Sequence, residues 1–253
     1  MSAASAYNAI AGRYEALEHE NRILALMRRR SLAALLQALP ERARLLELGA
    51  GAGEEAAAVA GGRRASVVAV EPAPALAAIA EAKARARAVT VEVVVSTASQ
   101  ALASFGESGA VFGGAWSSFA IGYDAPLPAL RAPLAAVLSS AAPFVVSLRN
   151  PWCLAEPWSI PSRATGRYRH KVGDARVAVA HYSPRAAVRA LAPDFSLERS
   201  EALPALVPPP RYGRAWNCLG GVARGLERAD EKLAARAPFR ALGDHTLMVF
   251  RRH

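Results

Sequence analysis

In the stretch LLELGAGAGEEAAAVA, from Leu45 to Ala60, three glycines stand at alternate positions, Gly49, Gly51 and Gly53, directly after an apolar run. Glycine adopts positive φ without steric cost and lets a ligand approach the main chain. The helix that follows offers unpaired N–H groups at its start. A bare strand–helix turn needs fewer glycines than this. Two frames compete for the ligand. A dinucleotide turn is GxGxxG or GxGxxA, placed directly after the strand. Counted from Gly49, its sixth position is Glu54, a carboxylate that opposes close packing and repels a pyrophosphate. Counted from Gly51, GAGEEA fits formally, but it begins late and sets Glu54 and Glu55 in the first helical turn. Carboxylates there suit the helix dipole, yet they compete with a phosphate for the same N–H groups. The second frame is ExGxGxG, running from Glu47 to Gly53 with Ala50 and Ala52 between the glycines. It leaves Glu47 at the end of an apolar strand, where burial is costly without a partner. A ligand ammonium would supply one; Arg44 or a helix cap are the alternatives. Glu71 ends the next apolar run, VVAVE, 22 residues after Gly49. Its two acceptor oxygens can bind both hydroxyls of a ribose.

The segment ExGxGxG, with Glu71 at this distance, resembles motif I of class I S-adenosylmethionine-dependent methyltransferases. Their ligand carries an amino-acid tail, a sulfonium and a nucleoside. The resemblance covers most of the chain. YNAIAGRY at 7–14 is similar to the aromatic N-terminal segment that closes over the cofactor in many small-molecule members. AWSSFAIGY at 115–123 resembles the fourth-strand motif where cofactor and substrate meet. YSPRAAVRALAP and LGDHTLMVFRR are similar to members with a cap between strand five and the next helix. The resemblance implies S-adenosyl-L-methionine as cofactor and S-adenosyl-L-homocysteine as product. It implies cofactor contacts at Tyr14, Glu47, Gly49, Ala50, Gly51, Gly53, Glu71, Pro72, Thr97, Ala98, Trp116 and Ser117. Two positions depart from the pattern. Ser96-Thr97-Ala98 replaces the acidic residue that often binds the adenine amino group, and Gly113 stands where strand four often carries Asp.

The fourth-strand segment lacks the (D/N)PP(Y/F) signature of amino-methylating nucleic-acid enzymes, and no RNA-binding module is recognisable. A small-molecule acceptor is therefore expected, its O, N or C atom open. The alternatives are a non-catalytic cofactor-binding relative, an RNA methyltransferase and an NAD-dependent oxidoreductase. Methyl transfer from a sulfonium needs alignment and exclusion of water. It needs a general base only for a hydroxyl or protonated amine. His181 and Tyr182 are the candidates for base or orienting group. Tyr7, Tyr123, Asn150, Trp152 and Trp158 are the candidates for the acceptor side, since the last three follow strand five. Arg149, Arg167 and Arg169 read as solvated side chains rather than an anion site.

These residues need a scaffold. Apolar residues at helical spacing from Glu15 to Leu39 predict a helix that Pro40 stops. Strands are predicted at 44–48, 66–70, 89–95, 111–118 and 144–148, with helices at 54–60, 75–88 and 130–140 and a stop at Gly61-Gly62. That alternation predicts an α/β fold, a doubly wound, mostly parallel seven-stranded sheet. The pattern breaks at Asn150. Residues 151–182 read as a cap insertion, with RYRHKV and ARVAVAHY forming a hairpin about Gly173-Asp174 in a type II′ turn. Ser183-Pro184 predicts a capped helix, followed by a strand at 195–200, a helix at 226–237 and a strand at 246–251. The chain reads as one domain over 1–253, with residues 1–40 as an N-terminal helical lid.

Composition sets bounds. The chain has 253 residues, 53% hydrophobic, with a net charge of +10. Of its 31 basic residues only Lys83, Lys171 and Lys232 are lysines. With abundant alanine, this reads as compositional bias rather than a nucleic-acid patch, and Arg28-Arg29-Arg30 as a solvated helix end. Cys153 and Cys218 lie far apart, and the histidines at 19, 170, 181, 245 and 253 lack ligand spacing, so no metal is expected. The N-terminus lacks a signal-peptide pattern. The uncharged run from 132 to 148 contains Arg-free apolar sequence broken by Pro133 and Pro143, too short for a membrane span. A cytoplasmic monomer or homodimer is the expectation.

Overall fold

The computed structural model describes residues 2–253, the side chains at 18 and 19 excepted. His19 thus lies outside the described side chains. Two helices come first, α1 (Ala3–His19) and α2 (Arg22–Ala38). The alternating part follows as β1 (Arg44–Leu48), α3 (Glu54–Arg63), β2 (Ser66–Val70), α4 (Pro74–Ala86), β3 (Val91–Val94), α5 (Ala98–Glu107), β4 (Gly114–Ser118), α6 (Leu127–Val137) and β5 (Pro143–Arg149). Next are α7 (Ile160–Ala164), the hairpin β6 (Arg169–Val172) and β7 (Ala175–Ala178), then α8 (Pro184–Leu191), β8 (Phe195–Leu203), α9 (Gly213–Asn217), α10 (Gly220–Leu233) and β9 (His245–Arg252).

Seven strands form one sheet in the order β3-β2-β1-β4-β5-β9-β8. The first five are parallel, and β9 runs antiparallel between β5 and β8. The strand order reverses between β1 and β4, the place where open α/β sheets bind ligands beyond their carboxyl ends. Two cores cover the sheet. Phe112, Leu130, Leu134, Phe144 and Phe250 pack with α5, α6 and α8 on one face. Ile23, Met27 and Leu35 of α2 pack with Leu45, Val145 and Trp216 on the other.

Several sequence expectations change. The helix expected over 15–39 is two helices, because Asn21 accepts a hydrogen bond from Leu24 N (3.1 Å) and starts α2 afresh. Helix α3 runs through Gly61-Gly62 and stops at Arg64, whose φ is 50°. Helix α5 was not expected, nor were the short α7 and α9. Thr97 caps α5 in a reciprocal capping box with Gln100, a T-x-x-Q signature present in the sequence. Strand β3 is correspondingly shorter, and α10 starts earlier than 226 and ends at Leu233. In the β6–β7 turn Gly173 has φ 57° while Asp174 stays out of the positive region, as type II′ requires.

Arg28, Arg29 and Arg30 are not a solvated helix end. They sit mid-helix in α2, where about 100° of rotation per residue sends them in three directions. Arg29 reaches Glu231 on the surface, and Arg30 forms a 2.7 Å pair with the buried Asp230. Arg28 points into the cavity described next.

Candidate functional site

A cavity of about 290 Å³ opens at the carboxyl ends of β1, β2 and β4, beneath α1. Its floor is the glycine turn. Gly49 N and Ala50 N both donate to Val70 O, at 2.8 and 3.0 Å, and so knit the turn to β2. Gly49, Gly51 and Gly53 all have positive φ, 81°, 56° and 73°. Glycine is needed at each for a different neighbour. A Cβ on Gly49 would stand 2.1 Å from Ala120 Cβ, and one on Gly53 2.6 Å from Ala80 Cβ. A Cβ on Gly51 would project toward Tyr14 Oη at 3.4 Å, across the cavity. Gly49 and Gly53 therefore serve packing, and Gly51 keeps the cavity open.

The cavity is acidic. Among the described residues Glu47, Glu55, Glu71 and Asp124 line it, against one cation, Arg28. Glu54 turns away, onto Lys83 (3.0 Å) and Arg87 (2.7 Å) of the α4 region. Glu47 is buried, and its Oε1 accepts from Trp116 Nε1 at 2.9 Å. Its Oε2 has no partner among the described residues. Burial, then the neighbouring Glu55, pushes the Glu47 carboxyl well above the usual range; Trp116 and Arg28 pull the other way. A carboxylate with one oxygen open in a buried wall is suited to a ligand cation, which would offset its desolvation. Glu71 accepts from Gly51 N at 2.8 Å through Oε2 and from Ala73 N at 2.9 Å through Oε1. Each oxygen retains a lone pair. Burial raises its pKa, and the two N–H bonds act against this.

Of the residues singled out in the sequence, Tyr7, Tyr14, Glu47, Gly49, Ala50, Gly51, Glu71, Pro72, Thr97, Ala98 and Tyr123 line this cavity together. Gly53 caps α3 outside it. Trp116 lies behind Glu47, and Ser117 donates to Leu48 O at 2.7 Å, clamping β4 to β1. The Thr97 hydroxyl is engaged in the capping box, donating to Gln100 Oε1 at 3.0 Å. Gly113 sits at the opposite end of β4, against Ala43 and Pro40, so its missing carboxylate is no feature of the cavity. Asn150 braces a loop, donating to Ala241 O (2.8 Å) and accepting from Trp152 N (3.1 Å). Trp152 and Trp158 are 48% and 68% exposed, away from the cavity. Tyr182 accepts from Leu127 N at 2.9 Å and fixes the start of α6. His181 packs edge-on to Tyr168, and burial, then Arg149 and Arg163, push it down to about 3. An imidazole so placed is a weak base at neutral pH.

Polar and aromatic lining residues that were not named as site candidates in the sequence include Arg28, Glu55, Ser118, Phe119 and Asp124. Arg28 donates to Tyr14 Oη at 3.1 Å and lies over the Phe119 ring. Glu55 carried a signal as the second carboxylate in the first turn of α3, and Ser118 and Phe119 lay within the AWSSFAIGY segment. Helix α2 of the expected 1–40 lid is sheet core; α1 alone lies over the cavity.

The sheet order and the cavity's place invite comparison with known folds. A geranyl diphosphate C-methyltransferase from Streptomyces coelicolor, solved with Mg2+, geranyl diphosphate and S-adenosyl-L-homocysteine, superposes with a TM-score of 0.57 over 88% of this chain and 77% of its own, at 16% identity. This chain has the Rossmann-like methyltransferase fold. A cyclopropane synthase from Mycobacterium tuberculosis shares the fold, with a TM-score of 0.58 over 87% of this chain and 82% of its own, at 12% identity. So does a [4+2]-cyclase, with 0.56 over 88% and 80%, at 16% identity. The methyltransferase fold thus carries more than one chemistry. No protein-family model and no curated protein matches the sequence. Among the described residues, no helix is long and apolar enough to cross a membrane, and no cluster of ligating side chains could hold a metal ion.

One expectation follows from the orphan oxygen. The folded-state pKa of Glu47 lies above its unfolded value. The stability linked to this group is therefore fully present below the unfolded pKa and is lost as pH rises through the folded one. Glu47→Gln keeps an acceptor for Trp116 and removes the buried charge. Thermal melts are expected to show a higher Tm than wild type at neutral pH, with the difference vanishing in acid. The same variant is expected to bind S-adenosylhomocysteine about tenfold or more weakly, the loss of one charge-assisted hydrogen bond. A variant no more stable at neutral pH would mean that Glu47 is not held at a cost.

Proposed function

We propose that the protein binds S-adenosyl-L-methionine and transfers its methyl group to a small-molecule acceptor. The observation that carries this is the acidic cavity on the glycine turn, lined by Glu47, whose buried Oε2 has no hydrogen-bond partner among the described residues. Four carboxylates against one guanidinium repel a pyrophosphate and favour a ligand with a cationic centre and an ammonium. Glu47 would hold the ammonium, and Arg28 would face the ligand carboxylate. Glu71 would take the ribose hydroxyls, and Pro72, Thr97 and Ala98 would border the base. The bound cofactor would supply an electrophilic methyl carbon. The chain's own part is to fix the ligand on Gly49–Gly51, hold the acceptor beneath α1 and exclude water with Tyr7, Tyr14 and Phe119.

The test is transfer of label from methyl-labelled S-adenosylmethionine to two separate pools, a small-metabolite extract and total RNA. Label in metabolites and not in RNA is expected. Cofactor binding with label in neither pool would favour a non-catalytic relative, and label in RNA alone would replace the acceptor class.

A further inference from the structure

At the end of the cavity under α1, two phenols meet. Tyr7 Oη donates to Tyr123 Oη at 3.4 Å, with the rings edge to face at 5.9 Å between centroids. Behind Tyr123, Arg149 Nη2 donates to the same hydroxyl at 3.3 Å and lies 3.3 Å from His170 Nδ1. Arg149 is thus enclosed, contrary to its reading as a solvated side chain.

Proton accounting makes this end of the cavity unusual. The pair holds two phenolic protons. One is used between the tyrosines, whichever donates, and arginine only donates. The second proton therefore has no acceptor among the described residues. Burial, then Tyr123 and Tyr14 nearby, pushes the Tyr7 hydroxyl well above the usual phenol value, which keeps its proton on.

The ion-pair contacts point the same way. Arg163 is matched by Glu156 and Asp244, each at 2.8 Å. Among the described residues no carboxylate lies within 4.0 Å of Arg149, and its Nε has no hydrogen-bond partner. His170 adds no charge, since burial, then Arg149, pushes it down to about 2. Asp244 acts on Arg149 from beyond that distance and, with Tyr123, keeps it charged despite burial, so a cation stands behind the phenol with no carboxylate bonded to it. Accepting from a cation also polarises the phenol and strengthens its own donation.

We propose that Tyr7 and Tyr123, backed by Arg149, form the subsite for an anionic oxygen of the methyl acceptor, a carboxylate or an ionised hydroxyl. The subsite rests on the methyltransferase reading for its purpose, but its binding is measurable without turnover. Asp124 follows Tyr123 in the same wall, so the anion would be held by the phenols and Arg149 against that neighbouring carboxylate.

The test titrates full-length protein with benzoate, 4-nitrophenolate and the neutral benzamide, and separately with S-adenosylhomocysteine. At least one of the two anions is expected to bind about tenfold more tightly than benzamide, and the tighter one identifies the oxygen type. Tyr123→Phe keeps the ring stack and is expected to erase that preference. Arg149→Met should do the same, and Arg149→Lys should restore part of it; the Phe variant decides the matter if Met fails to fold. Equal binding of all three probes, or a preference that survives Tyr123→Phe, overturns the subsite. An intact preference in a protein that ignores S-adenosylhomocysteine supports the subsite and overturns the cofactor reading.

Discussion

Replacing Glu71 with alanine is expected to weaken S-adenosylhomocysteine binding by about 100-fold or more. The carboxylate does two jobs at once. It ties the glycine turn to the β2–α4 loop through Gly51 N and Ala73 N, and it keeps one lone pair on each oxygen for a ligand hydroxyl. Two hydrogen bonds to a charged acceptor are worth roughly 3–4 kcal/mol together, which corresponds to about a 100- to 1,000-fold change in Kd. Freeing the two backbone N–H groups also loosens the turn. Glu71→Gln retains one acceptor oxygen, so its loss should be smaller than that of alanine. Calorimetry on the three proteins reads both. Affinity unchanged in Glu71→Ala would place the ribose elsewhere.

The second large effect is on stability. Gly49→Ala must place a methyl 2.1 Å from Ala120 Cβ while the backbone holds φ at 81°. The turn has little freedom to relax, because Gly49 N and Ala50 N both bond Val70 O. Left-handed backbone costs an L-residue about 1–2 kcal/mol, and overpacking about 1–3 kcal/mol more. For a chain of this size a loss of that order lowers Tm by about 10 °C. Gly51→Ala provides the contrast. Its Cβ would meet only Tyr14, nearest at Oη at 3.4 Å, so a smaller loss of Tm is expected together with weaker ligand binding. Equal Tm losses in the two variants would contradict the separate roles given to these glycines.

The alternating half of the fold was legible because each strand is an apolar run and each helix has its own stop. Strands β1 and β2 and the cap of α8 fall where composition and turn chemistry put them. Helix α5 has the stripe of a helix, Ala98, Ala101, Leu102 and Phe105, and was missed because Thr97 drew attention as a possible ligand acceptor rather than as a cap. The ligand side of the cavity was legible for a simple reason. Glu47, the glycines and Glu71 lie at strand ends, so their positions follow from the sheet. The acceptor side was not. Tyr123, Arg149 and His170 come from three separated segments, and only the packing of the β6–β7 hairpin against α1 brings them near Tyr7. Arg28 was hidden for the same reason. In a run of three arginines, helix rotation alone decides which one faces inward.

Side-by-side calorimetry of the wild-type protein with S-adenosylhomocysteine and with NAD tests the acidic cavity most directly. Among the described residues four carboxylates and one arginine line it, so S-adenosylhomocysteine is expected to bind saturably and NAD to give no measurable heat. Saturable binding of NAD with none of S-adenosylhomocysteine would contradict the proposed cofactor.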